Sequence, residues 1–127
     1  MSEKSVAQKL GLKAGQTLFV NQAPAEIGEL LGAGSDGAGW TQTGEGPFPL
    51  ILTFARNRAA MVKDLPACKA KLESGGALWI AYVKGTSAKA ADINRDIIRE
   101  YVATIGLDTV AQIAIDADWS ALRLKVV

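Results

Sequence analysis

The segment from Gly75 to Val83 carries the strongest hydrophobic signal in the chain. After its two opening glycines it is apolar without interruption, and aromatic and branched side chains are frequent in it. An apolar run of strand length is typical of a strand buried on both faces, as the central strands of parallel sheets are. A second such run, Pro49–Phe54, lies upstream. We expect the two runs to lie side by side with the same polarity inside a sheet.

Shorter apolar runs predict further strands, and amphipathic segments predict the helices between them. The predicted strands are Thr17–Asn21, Trp40–Thr43, Thr109–Ile115 and Ser120–Val127. The predicted helices are Ser5–Leu10, Ala25–Leu31, a region after the second apolar run that extends to about Leu72, and Ala90–Ile105, which Gly106 ends. Because proline disrupts a helix interior, we expect Pro66 to split the third helical region, with Asp64 capping its second half.

The order of these elements predicts the fold. Strands separated by helices pair in parallel through right-handed crossovers, and helices then cover both faces of the sheet. Only the turn Asp116–Trp119 separates the last two strands, which predicts a hairpin that adds an antiparallel edge. We therefore predict one α/β domain over residues 1–127, a small Rossmann-like three-layer sandwich with a mainly parallel sheet and a C-terminal antiparallel hairpin.

The composition is that of a folded globular chain. Of its 127 residues, 49% are hydrophobic and 21% are charged, and the formal net charge is +1. This charge, without any cluster of Lys and Arg, gives no reason to expect a nucleic-acid partner. The longest apolar run is far short of the roughly 20 residues that cross a bilayer, and the polar start does not resemble a signal peptide, so we expect no membrane partner. A single cysteine permits no intramolecular disulfide, which favours a cytoplasmic protein.

Residue types exclude the familiar catalytic and metal sites. The chain has no histidine, which rules out a Ser-His-Asp triad, a Cys-His pair and histidine metal ligands. One cysteine cannot build a thiolate site, and the spacing of Cys68 from Leu65 and Leu72 predicts a core thiol. No cluster of carboxylates stands at the predicted strand ends, so the sequence does not favour a magnesium site. We predict no catalytic or metal-binding residue, and enzymatic activity stays open.

The candidate ligand-binding residues lie mostly beyond the carboxyl ends of the predicted strands, where ligands bind in such sheets. They are Asn21, Arg56, Lys84, Ser87, Asp92, Arg95 and Arg123. Lys84 and Ser87 belong to a loop that could hold a phosphate or carboxylate, or could be an ordinary solvated loop. Asp92 and Arg95 could face a ligand, or Asp92 could cap the helix and pair with Arg95. Arg123 could join an anion site, reach back to Asp92 or Asp96 as a structural clasp, or simply face solvent.

The turn after the first predicted strand argues against the usual nucleotide cofactors. A dinucleotide or adenosyl cofactor needs glycines there, so that the backbone can approach the ligand closely. The turn runs from Asn21 to Glu26 without a glycine, and the next glycine is Gly28. Glu45 stands near the position of a ribose-binding acid but lies in a loop rich in glycine and proline. The cofactor, if there is one, stays unknown.

Several segments in combination carry a resemblance to a known family. They are Gly75–Lys84, Asp92–Asp96 and Asp116–Arg123, together with the opening Lys9–Gly15 and the turn Asn21–Pro24. Together they resemble a bacterial family of unknown function, whose members are small cytosolic proteins of about this length. The resemblance covers nearly the whole chain and brings no active residues with it. More distantly, the order of elements, including the final hairpin, is similar to the sandwich of adenosylmethionine-dependent methyltransferases.

Three functions are open at this stage. The first is a non-catalytic Rossmann-like binding or scaffold domain, which would form a homodimer through an edge strand or an outer helix. The second is a degenerate methyltransferase-like enzyme or anion binder, with Asn21, Lys84, Ser87 and Arg95 around a small acidic or nucleotide ligand. The third is a subunit that supports an unidentified protein partner.

Overall fold

The computed structural model describes residues 9–12, 15–23, 39–83, 93–115 and 119–126. In these ranges the elements are β1 (Thr17–Asn21), β2 (Gly39–Thr41), β3 (Phe48–Ala55), α1 (Arg58–Ala70), β4 (Leu72–Val83), α2 (Arg95–Thr104), β5 (Leu107–Ala114) and β6 (Trp119–Val126). Of the predicted helices, Ala25–Leu31 lies outside the described residues, and so does most of Ser5–Leu10. No helix in the described part of the chain is long and apolar enough to cross a membrane.

The strands form one sheet in the order β2-β1-β3-β4-β6-β5. β1 pairs in parallel with β2 and β3, and β3 pairs in parallel with β4. In the central pair Ile51 lies opposite Leu78 and Thr53 lies opposite Ile80, so the two long apolar runs share one polarity as predicted. An α/β fold with a mainly parallel sheet is therefore confirmed.

The C-terminal hairpin forms as predicted, but it does not add an antiparallel edge. β6 lies inside the sheet and runs antiparallel to both β4 and β5. Because β5 is antiparallel to β6, the edge strand β5 points the same way as β4. The expected edge strand differs because β6 inserts between β4 and β5, with Trp119 to Leu122 buried in the two faces of the sheet.

Apolar side chains fill both faces of the central strands. One face packs against α1 and α2, and Ile80 is fully buried there. On the other face Trp79 lies in a cluster with Phe54 and Trp119, whose rings meet edge to face at 5.1 Å. Trp79 Nε1 donates to the Leu10 carbonyl at 3.0 Å and so fastens the segment before β1 to the sheet.

The helix α1 is continuous, so the predicted split at Pro66 and the predicted cap at Asp64 are wrong. Asn57 caps α1 by accepting a hydrogen bond from the Ala60 N–H at 2.8 Å, and Asp64 is buried inside the helix. Proline has no N–H to donate to the carbonyl four residues earlier, which is that of Val62. The Tyr101 hydroxyl of α2 donates to the Val62 carbonyl instead, at 3.2 Å. A tertiary hydrogen bond thus replaces the one that proline removes.

The helix α2 begins later than predicted. Asn94, in an extended conformation, caps it by accepting from the Ile97 N–H at 2.9 Å. The predicted start at Ala90 and the predicted cap at Asp92 are therefore wrong, because Ile93 and Asn94 precede the first helical residue. Gly106 follows the helix with φ of 78°, a conformation that favours glycine, as predicted for its end.

The bond from Tyr101 to Val62 can be tested with a double-mutant cycle. We expect Tyr101→Phe to lower the free energy of unfolding by about 0.5–1.5 kcal/mol, because the Val62 carbonyl loses its donor. In a Pro66→Ala background the same change should cost less, since the backbone N–H that alanine restores can donate to that carbonyl. Urea denaturation of the four proteins measures both costs. Equal costs in the two backgrounds would show that the hydroxyl does not compensate for Pro66.

Candidate ligand-binding crevice

A crevice opens where the order of the strands reverses. β1 and β3 are neighbours, but the chain leads from β1 to β2 on one side and from β3 to β4 on the other. In open α/β sheets ligands bind beyond the carboxyl ends of the strands at such a point. A cavity of about 200 Å³ lies there, lined by Gln22, Phe54, Arg56, Asn57, Ala60, Lys63 and Asp64. We call it the switch-point crevice.

Gln22 follows β1 in an unusual backbone conformation. Its φ is +56°, and it is the one non-glycine residue with positive φ in the part of the chain that the structure describes. Such conformations cost energy and occur preferentially where a site requires them. The carbonyl of Gln22 accepts a hydrogen bond from Arg56 Nη1 at 3.3 Å, so the ends of β1 and β3 are joined across the crevice.

The Arg56 guanidinium is held by two contacts. Besides its hydrogen bond to Gln22, it lies over the ring of Trp119 at 5.9 Å from the centroid. The aromatic face attracts the cation and limits its movement. Lys63 adds a second cation to the crevice and Asp64 adds a carboxylate. Among the described residues, the crevice therefore holds two positive groups and one negative group near the amino end of α1.

A polar network lies behind the crevice. Asn21 Nδ2 donates to Thr53 Oγ1 at 3.1 Å, and Thr53 is buried. Thr53 also shares a hydrogen bond with Cys68, and burial raises the pKa of the Cys68 thiol to about 11 despite that bond. The Asn21 amide is thus bound to the sheet, and Cys68 is a buried core thiol as predicted.

A second polar cluster lies at the carboxyl end of β4. Arg95 Nη1 donates to Gln112 Oε1 at 3.3 Å, and Gln112 Nε2 donates to the Tyr82 hydroxyl at 3.4 Å. Burial raises the pKa of Tyr82, while nearby Arg95 and a hydrogen bond with Ser120 lower it in part. Arg95 is therefore engaged with β5 and does not line the crevice.

The structure brings only part of the predicted site together. Arg56 lines the crevice and Asn21 lies next to it in the chain, whereas Arg95 belongs to the second cluster. Arg123 lies opposite Trp79 in β6 and lines a cavity at the other end of the sheet. Lys84, Ser87 and Asp92 lie outside the described residues. No group of three or more possible metal ligands occurs among the residues that the structure describes.

Sequence reasoning missed Lys63 and Asp64 as lining residues. Both come from α1, well after the end of β3. The sequence does contain a pattern that points to them: Asn57, Ala60 and Lys63 or Asp64 recur at the spacing of one helix face. The predicted helix break near Pro66 obscured this pattern, because these residues would not all share one face of a split helix.

Comparison with known proteins shows the fold. No family model matches the chain, and neither does any curated protein. Among solved structures, a ribosomal protein L11 methylase from Lactobacillus delbrueckii subsp. bulgaricus has a TM-score of 0.61 at 12% identity, over 94% of this chain and 74% of the methylase.

Two further solved structures agree with this result. A TehB-like SAM-dependent methyltransferase from Corynebacterium glutamicum has a TM-score of 0.61 at 13% identity, over 99% of this chain and 90% of its own. The glycopeptide N-methyltransferase MtfA, solved with S-adenosyl-L-methionine, has a TM-score of 0.58 at 8% identity, over 100% of this chain and 89% of MtfA. The predicted distant similarity to adenosylmethionine-dependent methyltransferases is therefore confirmed for the fold.

The raised pKa of Cys68 predicts a pH dependence of stability. The folded thiol keeps its proton up to about pH 11, whereas an exposed thiol loses it near 9.0. Deprotonation therefore favours the unfolded chain, and the stability from this group is present below pH 9 and lost as the pH rises toward 11. Above pH 9 the wild type should lose up to about 1.4 kcal/mol per pH unit more than Cys68→Ala.

Urea denaturation between about pH 8 and pH 10.5 measures this difference in slope. Cys68→Ala also removes buried volume and lowers stability at every pH, so only the slopes are compared. Parallel pH profiles for the two proteins would show that the thiol titrates normally in the folded state.

Proposed function

We propose that this chain is a methyltransferase-like domain that binds a small organic anion in the switch-point crevice and acts as a binding module. The observation that carries the proposal is the position of Arg56 and Lys63 in a cavity at the reversal of strand order. This is the place where sheets of this kind bind their ligands. The residues there decide which ligand chemistry fits.

The charges of the crevice favour an anion that also carries hydrogen-bond donors. Arg56 and Lys63 can bind a carboxylate or phosphate through charge-assisted hydrogen bonds. The amino end of α1 adds a partial positive charge to the same place. Asp64 is 8% exposed and can accept hydrogen bonds from hydroxyl or amino groups of the ligand. A sugar phosphate or an acidic amino acid has both kinds of group.

The described residues do not fit adenosylmethionine. Its binding turn needs glycine after β1, so that the backbone can approach the ligand closely. Gln22 and Ala23 stand there instead, and Arg56 donates a hydrogen bond to the Gln22 carbonyl. The one carboxylate among the described lining residues comes from α1 and not from the end of β2. The cavity of about 200 Å³ is also smaller than the roughly 300–1,000 Å³ of sites that enclose drug-sized ligands, so it suits a smaller molecule than adenosylmethionine. We therefore assign no methyl-transfer step to the crevice.

Methyl transfer is the second candidate, and the fold is the observation that favours it. The three structural neighbours are named as methylases or methyltransferases. At 8–13% identity their likeness extends to the architecture alone. This candidate requires the chain to bind adenosylmethionine or adenosylhomocysteine more tightly than the small anions of the first candidate.

A thermal-shift panel of matched pairs separates these candidates. The pairs are ribose 5-phosphate with ribose, AMP with adenosine, and glutamate with glutamine, and the panel also includes adenosylmethionine, adenosylhomocysteine and NAD. We expect at least one anion to stabilise the protein while its neutral counterpart does not. At a hundred times its dissociation constant a ligand adds about 2.7 kcal/mol, which such an assay detects. A response to the adenosyl ligands alone would instead support methyl transfer.

The location of binding is tested with Lys63→Gln. Lys63 is exposed on α1, so its loss should leave the fold intact. We expect the dissociation constant of the active anion to rise about tenfold or more, as for the loss of a charge-assisted hydrogen bond. Arg99→Gln removes an exposed cation of α2 that does not line the crevice and serves as the matched control. Equal affinities in the two variants, or no response to any anion, would exclude the proposal.

A further inference from the structure

A larger cavity lies at the opposite end of the sheet from the crevice. Its volume is about 770 Å³, and it opens between β4 and the last residues of β6. The parallel strands begin at this end, so the cavity is separate from the site where the fold binds ligands at their carboxyl ends. We call it the amino-end cavity.

Two strands that move apart create this cavity. β6 pairs with β4 only as far as Leu124, opposite Leu78, but it continues along β5 as far as Val126. The register of β4 against β3 is irregular between Leu72 and Ala77, where five residues of β4 correspond to two of β3. The backbone of Gly76 approaches β3 so closely that a Cβ there would lie 2.9 Å from the Pro49 carbonyl oxygen. A wedge of space is left beside β6.

Apolar side chains form much of the cavity wall. Leu72 and Leu124 line it from β4 and β6, and Val110 and Val126 line its rim. The two valines are 49% and 52% exposed, which is high for apolar residues of a sheet. The volume lies within the range of roughly 300–1,000 Å³ that is usual for sites that bind small organic molecules.

Among the described lining residues of the cavity, cations outnumber carboxylates. Lys69, Arg123 and Lys125 line it, against one carboxylate, Glu73. The Lys69 ammonium already donates to the Ile105 carbonyl at 2.6 Å. Among the described residues no ion pair involves Arg123 or Lys125, although Asp108 lies opposite Lys125 in β5 and partly offsets its charge. Because side chains alternate along a strand, Arg123 and Lys125 leave β6 on the face opposite to Leu124 and Val126. Residues of both faces line the wedge, so the two cations are left to bind an anionic group across it from the apolar wall.

We infer that the amino-end cavity binds a free amphipathic organic anion. The apolar body of the ligand lies on Leu72, Leu124 and the two valines, and its carboxylate contacts Arg123 and Lys125. A single free molecule fits better than a membrane surface, because the cavity is a wedge between two strands and not a flat face. This site does not depend on the function proposed for the switch-point crevice.

NMR titration of the ¹⁵N-labelled protein tests this inference with three probes of equal chain length. Octanoate, 1-octanol and octyltrimethylammonium share the apolar body and differ in the charge of the head. We expect octanoate, below its micelle concentration, to shift the amide signals of Gly75, Gly76 and Val126 in a saturable manner. The neutral and cationic probes should bind at least about tenfold more weakly.

Variants locate the anionic group. Arg123→Gln combined with Lys125→Gln changes two exposed side chains, and the spectrum itself reports whether the fold is kept. This variant should bind octanoate about tenfold more weakly, whereas Lys9→Gln combined with Arg99→Gln, which also removes two exposed cations, should bind it like the wild type. The inference is overturned by equal binding of the three probes, by equal loss in both variants, or by the absence of saturable shifts with octanoate.

Discussion

The parallel pairing of β3 with β4 is the interaction on which the rest of the structure depends. Every residue from Leu50 to Ala55 is buried, and so is every residue from Leu78 to Val83. Full burial of one large aliphatic side chain contributes about 1.5–3 kcal/mol, so these two strands form the energetic centre of the domain. Because both faces of both strands need cover, α1 and α2 pack on one face and the segment before β1 is held on the other.

The two cavities follow from how other strands join this pair. β1 pairs with the free edge of β3, and the chain then turns away toward β2, which opens the crevice at the carboxyl end. β6 pairs with the free edge of β4 but loses it near Gly76, which opens the cavity at the amino end. The fold therefore provides both spaces, and the side chains that line them determine which ligands fit.

The sequence predicted the parts of the fold that depend on local pattern. β1 has the predicted bounds and the central strands have the predicted polarity, because apolar runs bounded by turn residues report directly on burial. The predicted helix break at Pro66 was wrong because the hydrogen bond that proline removes is replaced by one from Tyr101, which lies in a different helix. The end of the sheet at which Arg123 lies stayed open, because the pattern does not reveal where an antiparallel strand enters the sheet. Since β6 enters at Trp119, its later residues lie at the amino end.

The candidate site was harder to predict than the fold. Arg56 follows a strand directly, so its position at the crevice could be expected from topology. Gln22 was part of a turn that was noted for its missing glycines, but its left-handed backbone and its bond to Arg56 depend on the neighbouring strand. Lys63 and Asp64 line the crevice because they lie in α1 on the face that also carries Ala60. Their place in the site can be recognised once the packing of α1 against the sheet is known.

The internal position of β6 makes the sheet depend on the strand that comes latest in the chain among those the structure describes. Among the described strands, β5 pairs only with β6, and the edge of β4 that does not pair with β3 pairs with β6 alone. During synthesis the central strand therefore stays open along one side until the segment that forms β6 has left the ribosome. An unpaired strand edge can pair with another chain. A nascent or truncated form of this protein that lacks β6 therefore exposes an aggregation-prone edge of β4, which β6 covers in the folded sheet.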